Sequence, residues 1–94
     1  MTIDLSTVVV RREGLLSAPV DDEIVLLNPE RDNYIGLDAI GRAVWDLLAE
    51  PSPVEALCRR LSEDFDATPE QIATDVIAFL DELVDEGIVH VVGA

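Results

Sequence analysis

Lysine is absent from this chain, and basic residues of any kind are scarce. Six arginines stand against 20 acidic side chains, a net charge of −14 over 94 residues. The shortage is uneven. Beyond Leu61 there are nine acids (Glu63, Asp64, Asp66, Glu70, Asp75, Asp81, Glu82, Asp85 and Glu86) and no basic residue. Such a field repels phosphate backbones and anionic membranes, so neither nucleic acid nor membrane is an expected partner. It favours solubility and attraction to basic partners, although a heavily solvated surface alone accounts for the same balance. A single cysteine, Cys58, excludes an internal disulfide. Aromatic residues make up only 4% of the chain, so its core must be aliphatic. No run nears the ~20 apolar residues of a membrane span. The short apolar run near Met1 has no basic segment before it, so no signal peptide is expected and the expected location is the cytoplasm.

Catalytic sets are missing as well. Cys58 stands at helical spacing with Val54 and Leu61 and reads as a small buried apolar residue. His90, the only histidine, lies in a β-prone tail and reads as packed or exposed rather than as a base. One Cys and one His fall short of a structural zinc site. The carboxylates lack the loop spacing and glycine of a calcium hand. Gly36 and Gly41 are too far apart for a phosphate loop, and no Lys-Thr or Lys-Ser follows them. Gly36 reads instead as the point where a strand meets a helix start closely. Ser6, Ser17, Ser52 and Ser62 all lack the Asp-Ser-Leu context of an acyl carrier protein. No enzyme activity, metal or cofactor is expected.

What is present is enough for one domain with one modest core. It is organised around the stretch from Glu23 to Leu48. Glu23 to Asn28 is apolar and branched, and Asn28-Pro29-Glu30-Arg31-Asp32 is turn chemistry. Asn33 to Leu37 is a second short strand. Asp38 then caps a helix carrying Ile40, Val44, Trp45 and Leu48, which stops before Pro51. Because the chain turns helical at once, the second strand is left at a sheet edge, with N–H and C=O groups open to another chain. Upstream, Thr7 to Arg12 reads as a strand or ordered arm, and Leu15 to Ala18 as a short strand ended by Pro19. With Glu23 to Asn28 these suggest an antiparallel meander.

Two more helices follow. Ser52-Pro53-Val54-Glu55 has the form of a capping box with proline at the first helical position, and that helix ends near Phe65. Thr68-Pro69-Glu70-Gln71 repeats the form, and Gly87 stops the third helix after Glu86. Ile88 to Val92 is β-prone and reads as a short strand or packed tail. On a helical wheel, Phe79, Ile72, Leu83, Val76, Leu80, Ala73, Val84 and Ile77 follow one another around one arc, with Asp75, Glu82 and Glu86 along the border next to Phe79. The arc exceeds the stripe of about 100° that a surface helix must bury. Such a helix either walls a groove or is wrapped by the rest of the domain.

Strands plus three helices make an α+β chain with the outline of a winged helix-turn-helix, a small three-stranded antiparallel sheet followed by three helices. DNA readers of that shape carry Arg and Lys on the third helix; here that helix has acids only. The order Val25-Leu26-Leu27-Asn28-Pro29-Glu30-Arg31, a strand, the Asp38 helix start and Ala43-Val44-Trp45-Asp46-Leu47-Leu48 resembles the PqqD family. So do Pro53-Val54-Glu55-Ala56-Leu57 with Leu61 and Phe65, and Phe79-Leu80-Asp81-Glu82-Leu83-Val84-Asp85-Glu86-Gly87-Ile88-Val89. The resemblance covers Leu15 to Val89 within one domain spanning residues 1–94, with residues 1–14 as an extension or extra strand.

The resemblance implies a precursor-peptide recognition element of ribosomally made, post-translationally modified peptides. It most resembles the discrete leader-binding proteins of lasso-peptide pathways, which deliver the precursor to a leader protease and a cyclase. A quinone-cofactor pathway is the second implication within the class. The alternative outside it is an acidic winged-helix regulator acting through protein contacts. In the family the leader peptide adds antiparallel to the third strand. Carried over, its backbone partners would be Arg31, Asp32, Asn33, Tyr34, Ile35 and Gly36. The groove wall would be Asp75, Val76, Phe79, Leu80, Glu82 and Leu83. The carboxylates would favour a leader with Lys or Arg nearby. Alternation leaves open whether Tyr34, or Asn33 and Ile35, face the core. The extension before Leu15 and the tail after Gly87 read either as contacts for a partner enzyme or as pieces that complete the fold. Both ends read as complete, with no lost fusion partner.

Overall fold

A computed structural model describes residues 3–92, and expectations touching Met1, Thr2, Gly93 and Ala94 lie outside the described residues. In chain order the elements are β1 (Val8–Arg11), β2 (Leu16–Val20), β3 (Glu23–Asn28), β4 (Asn33–Leu37), α1 (Ala39–Leu47), β5 (Ser52–Pro53), α2 (Val54–Asp64), α3 (Pro69–Asp85) and β6 (Val89–Val91). They form an α+β fold of two three-stranded antiparallel sheets with three helices, consistent with a winged helix-turn-helix.

One sheet follows from alternation and turns. Ile24, Leu26 and Asn28 of β3 point into the core while Glu23, Val25 and Leu27 point out. β2 and β4 flank β3, in the order β2-β3-β4. The two turns need left-handed residues, and Asp21 (φ 58°) and Asp32 (φ 52°) supply them, as short polar side chains tolerate. Register puts Leu16 and Tyr34 opposite Leu27, and Ala18 and Gly36 opposite Val25.

The other sheet corrects the expected meander. The Thr7-to-Arg12 segment does not pair with β2; its strand β1 lies between β5 and β6. Val9 is opposite both Ser52 and Val91 and is fully buried. Early segment and late tail therefore complete one sheet. This pairing also overturns the capping box at Ser52. Ser52 belongs to β5, its hydroxyl donates to the Pro53 carbonyl at 3.2 Å, and α2 starts at Val54 behind Pro53 with no side-chain cap. The physical reason is backbone competition. The Val54 N–H donates to the Thr7 carbonyl and the Glu55 N–H to the Leu5 carbonyl, each at 2.9 Å, so two orphan donors of α2 are met by the incoming chain.

The other caps form as their residues dictate. Asp38 accepts from the Gly41 N–H at 2.8 Å to open α1. Thr68 accepts from the Gln71 N–H at 3.2 Å, with Pro69 in the first turn of α3. At the far end the Gly87 N–H donates to the Val84 carbonyl and the Ile88 N–H to the Leu83 carbonyl, at 3.1 and 2.9 Å. That double closure requires the left-handed φ of 76° at Gly87. The core is aliphatic, with Leu26, Leu48, Leu57, Leu61, Leu80 and Leu83 all wholly buried, and Trp45 nearly so. Cys58 is buried among them, and burial pushes its thiol pKa up. His90 is exposed on β6. Among the described residues no helix is long and apolar enough to cross a membrane, and no group of three or more His, Cys, Asp or Glu could hold a metal.

Candidate functional site

The β2-β3-β4 sheet has two open edges, and they are not equivalent. β2 carries Pro19, opposite Ile24, which has no N–H to offer an added strand. β4 has no proline and pairs with β3 on one side only. Its residues alternate: Leu37 is buried, Asn33 and Ile35 are half-buried, and Tyr34 is 76% exposed. The open question of alternation is thereby decided. Asn33, Ile35 and Leu37 face inward, and Tyr34 and Gly36 face out.

Beside β4 lies a groove of about 530 Å³. Ile35, Gly36 and Leu37 of β4 form one side, and Asp75, Val76, Phe79 and Glu82 of α3 form the other. The first turns of α1 close the end with Asp38, Ile40, Gly41 and Val44, and Glu23 stands at the rim. The floor is apolar and all four charged groups in the lining are carboxylates. Ile40, half-exposed although assigned to the apolar stripe of α1, lies here rather than in the core. Gly41 matters for shape, because a Cβ there would sit 3.1 Å from the Phe79 ring and 3.1 Å from Leu37 Cβ. The close approach expected at Gly36 is thus found at Gly41; a Cβ on Gly36 would meet nothing within 4 Å.

The hairpin tip between β3 and β4 grips the opposite end of α3. Arg31 donates to the Asp85 carbonyl, Asn28 Nδ2 to the Gly87 carbonyl at 3.4 Å, and Asn33 Nδ2 to Glu86 Oε2 at 2.8 Å. The last turn of α3 has no basic residue of its own, so Arg31 brings the cation that a helix C-terminus favours. Asn33 Oδ1 is buried with no partner. Turning the amide over would set that oxygen against the Glu86 carboxylate, so the orphan oxygen accompanies the bond that Nδ2 makes.

The expected site residues therefore divide. Ile35, Gly36, Asp75, Val76, Phe79 and Glu82 meet in the groove, and Asn33 and Tyr34 lie on its strand. Leu80 and Leu83 do not reach it; both are 0% exposed, because the wide apolar arc of α3 turns that part inward. Arg31 and Asp32 precede β4 and belong to the turn, where Arg31 holds α3. Glu23, Leu37, Asp38, Ile40, Gly41 and Val44 were not foreseen as lining. The available signal was position: a helix that starts one residue after a strand must set its first turn beside that strand's end.

The sequence model described as "Coenzyme PQQ synthesis protein D (PqqD)" matches residues 23–89. The chain belongs to the PqqD family. Among solved structures, TbiB1 in complex with the TbiA(beta) leader peptide is 28% identical, with a TM-score of 0.78, covering 90% of this chain and 96% of that one. The PqqD truncation of Methylobacterium extorquens PqqCD, described as a functional and stand-alone recognition element for ribosomally synthesised, modified peptides, superimposes with a TM-score of 0.78. It is 24% identical and covers 95% of each chain, a likeness that speaks for the fold of this PqqD-family chain. No curated protein sequence matches the chain at a significant level.

Proposed function

We propose that this PqqD-family chain is a non-catalytic recognition element that binds the leader of a ribosomally made precursor peptide. The observation that carries the reading is the open β4 edge lying directly beside an apolar groove with carboxylates at its border. An extended peptide adds to such an edge through its main chain, which supplies affinity with little sequence demand. Alternate side chains drop between Ile35 and Phe79, which supplies selectivity. Asp75 and Glu82 favour a leader with a basic residue next to its apolar anchors. The solved complex of TbiB1 with a leader peptide, on a closely similar backbone, supports this reading.

Binding then presents the precursor, in the cytoplasm where it is made, to a leader protease and a cyclase by raising their effective concentration around it. A lasso-peptide pathway is the favoured setting, from the sequence resemblance. The family's description as a coenzyme PQQ synthesis protein supports a quinone pathway as the second. The test is a calorimetric titration with the leader segment of a precursor encoded beside this chain. Saturable one-to-one binding is the expected result. A folded sample that binds no such leader would sink the proposal and return weight to a regulator acting through protein contacts.

A further inference from the structure

The β2-β3-β4 sheet has a second surface that the leader reading does not use. A solvated face of an antiparallel sheet normally carries polar side chains between the buried ones. Here, apart from Glu23 at one end of β3 and Gly36 on β4, the outward positions are apolar or aromatic. Leu16, Leu27 and Tyr34 form one row across three strands, and Ala18 and Val25 lie in the next. Leu16 is 58% exposed, Val20 53% and Tyr34 76%. Buried Ile24 and Leu26 carry the core from the other face, so the outward row contributes little to it. Exposed apolar residues in one contiguous patch, with a tyrosine at the margin, have the composition of a protein-binding centre.

We propose that this outward face docks a second protein, a modifying enzyme of the same pathway that carries an apolar patch edged with basic residues. Charge selects the occupant. Asp21, Asp22 and Glu23, all exposed, cluster at the β2–β3 turn beside Val20. Arg42 answers them only through the Asp21 and Glu23 carbonyls, at 3.2 Å each. At the opposite end Arg12 faces Glu30 at 3.8 Å and Arg31 is turned onto α3. Two copies meeting on this face would bring net charges of −14 together, which disfavours self-association. A basic rim complements it.

The proposal rests on the leader reading and deepens it. A leader strand added to β4 becomes the fourth strand of the sheet, and its alternate side chains join the outward face beside Tyr34. The enzyme then touches sheet and leader together and binds the loaded chain better than the empty one. By linkage, the enzyme tightens leader binding by the same factor.

The test uses the double variant Leu16→Ser with Val20→Ser, both on β2 and two strands from the leader edge. The probe is the purified leader protease encoded beside the chain, titrated against fluorescent chain with and without saturating leader. The wild type should bind it, and added leader should tighten binding by about tenfold, an ordinary coupling. The variant should keep its melting temperature and leader affinity while losing protease affinity by about tenfold or more. Unchanged protease binding by the variant overturns the proposal. So does sedimentation showing a wild-type dimer that the variant abolishes, which would make a second copy the occupant. Failure of the leader reading would look different: no leader binding by the wild type, whatever the β2 variant does to protease binding.

Discussion

The two sheets of this protein are made in opposite ways. The β2-β3-β4 sheet is contiguous in sequence and joined by two tight turns, with one face and both edges open, only the β4 edge being free of proline. The β5-β1-β6 sheet joins three distant segments, and its central Val9 is fully buried. One ties the chain together, and the other displays surface. The difference teaches where substitution should cost fold and where it should cost recognition.

The largest effect expected is at Val9. Val9→Asp buries a charge with no partner on the middle strand of the tying sheet, at a cost of several kcal/mol. Circular dichroism should show a chain largely unfolded at room temperature. A cooperative melt close to the wild type would mean that this sheet is peripheral.

Proline scanning of β4 comes next. Along an antiparallel strand, N–H groups alternate between the neighbouring strand and the open edge. Of Tyr34→Pro and Ile35→Pro, one removes a donor to β3 and lowers stability by roughly 1–3 kcal/mol. The other removes an outward donor, keeps the fold and abolishes leader binding. Leader binding that survives both substitutions, in folded proteins, would end the added-strand reading.

Phe79→Ala sharpens the comparison from the helix side. The half-buried ring lines the groove, so leader affinity should fall about tenfold or more while stability falls by less than the ~3–5 kcal/mol of a core phenylalanine. A loss of the full core magnitude would place the ring's role in packing. Gly41→Ala is subtler. Alanine favours the helix by about 0.8–1 kcal/mol, yet its Cβ meets the Phe79 ring at 3.1 Å and moves it. Melting temperature should change little, and leader binding should weaken a few-fold.

The smallest effect lies at the entry to β1. Hydrogen bonds from Ser6, and then Thr7, hold the Asp4 carboxyl below its ordinary value of 3.8. Its contribution is therefore present above pH ~3.8 and is lost as pH falls through the lower folded value. Asp4→Asn should flatten that acid limb of a stability–pH curve and leave the neutral region nearly unchanged.

The same contrast explains what could be read in advance. The β3–β4 hairpin and the helix ends at Asp38, Thr68 and Gly87 were legible, because turns and caps are written in a few adjacent residues. The partner of β1 was not, because β-prone Val8, Val9 and Val10 state a preference for pairing and no address. The apparent cap at Ser52 misled for a related reason. Its local chemistry is sound, but carbonyls nearly fifty residues upstream reached the same donors. In the site, the α3 residues at the groove were legible from the wheel, whereas the depth of Leu80 and Leu83 depends on how the other helices close over them. The α1 residues Ile40 and Gly41 enter through tertiary placement alone.

The grip of the hairpin tip on α3 gives the groove a calibre. At one end Arg31, Asn28 and Asn33 fasten strand to helix through polar contacts. At the other, the absent side chain of Gly41 lets the Phe79 ring settle against α1. Strand and helix are thus spaced like the jaws of a gauge set at both ends. A guest that pairs with the β4 edge must arrive unwound, because a helix spends its own N–H and C=O groups on its internal ladder and has none to offer a strand.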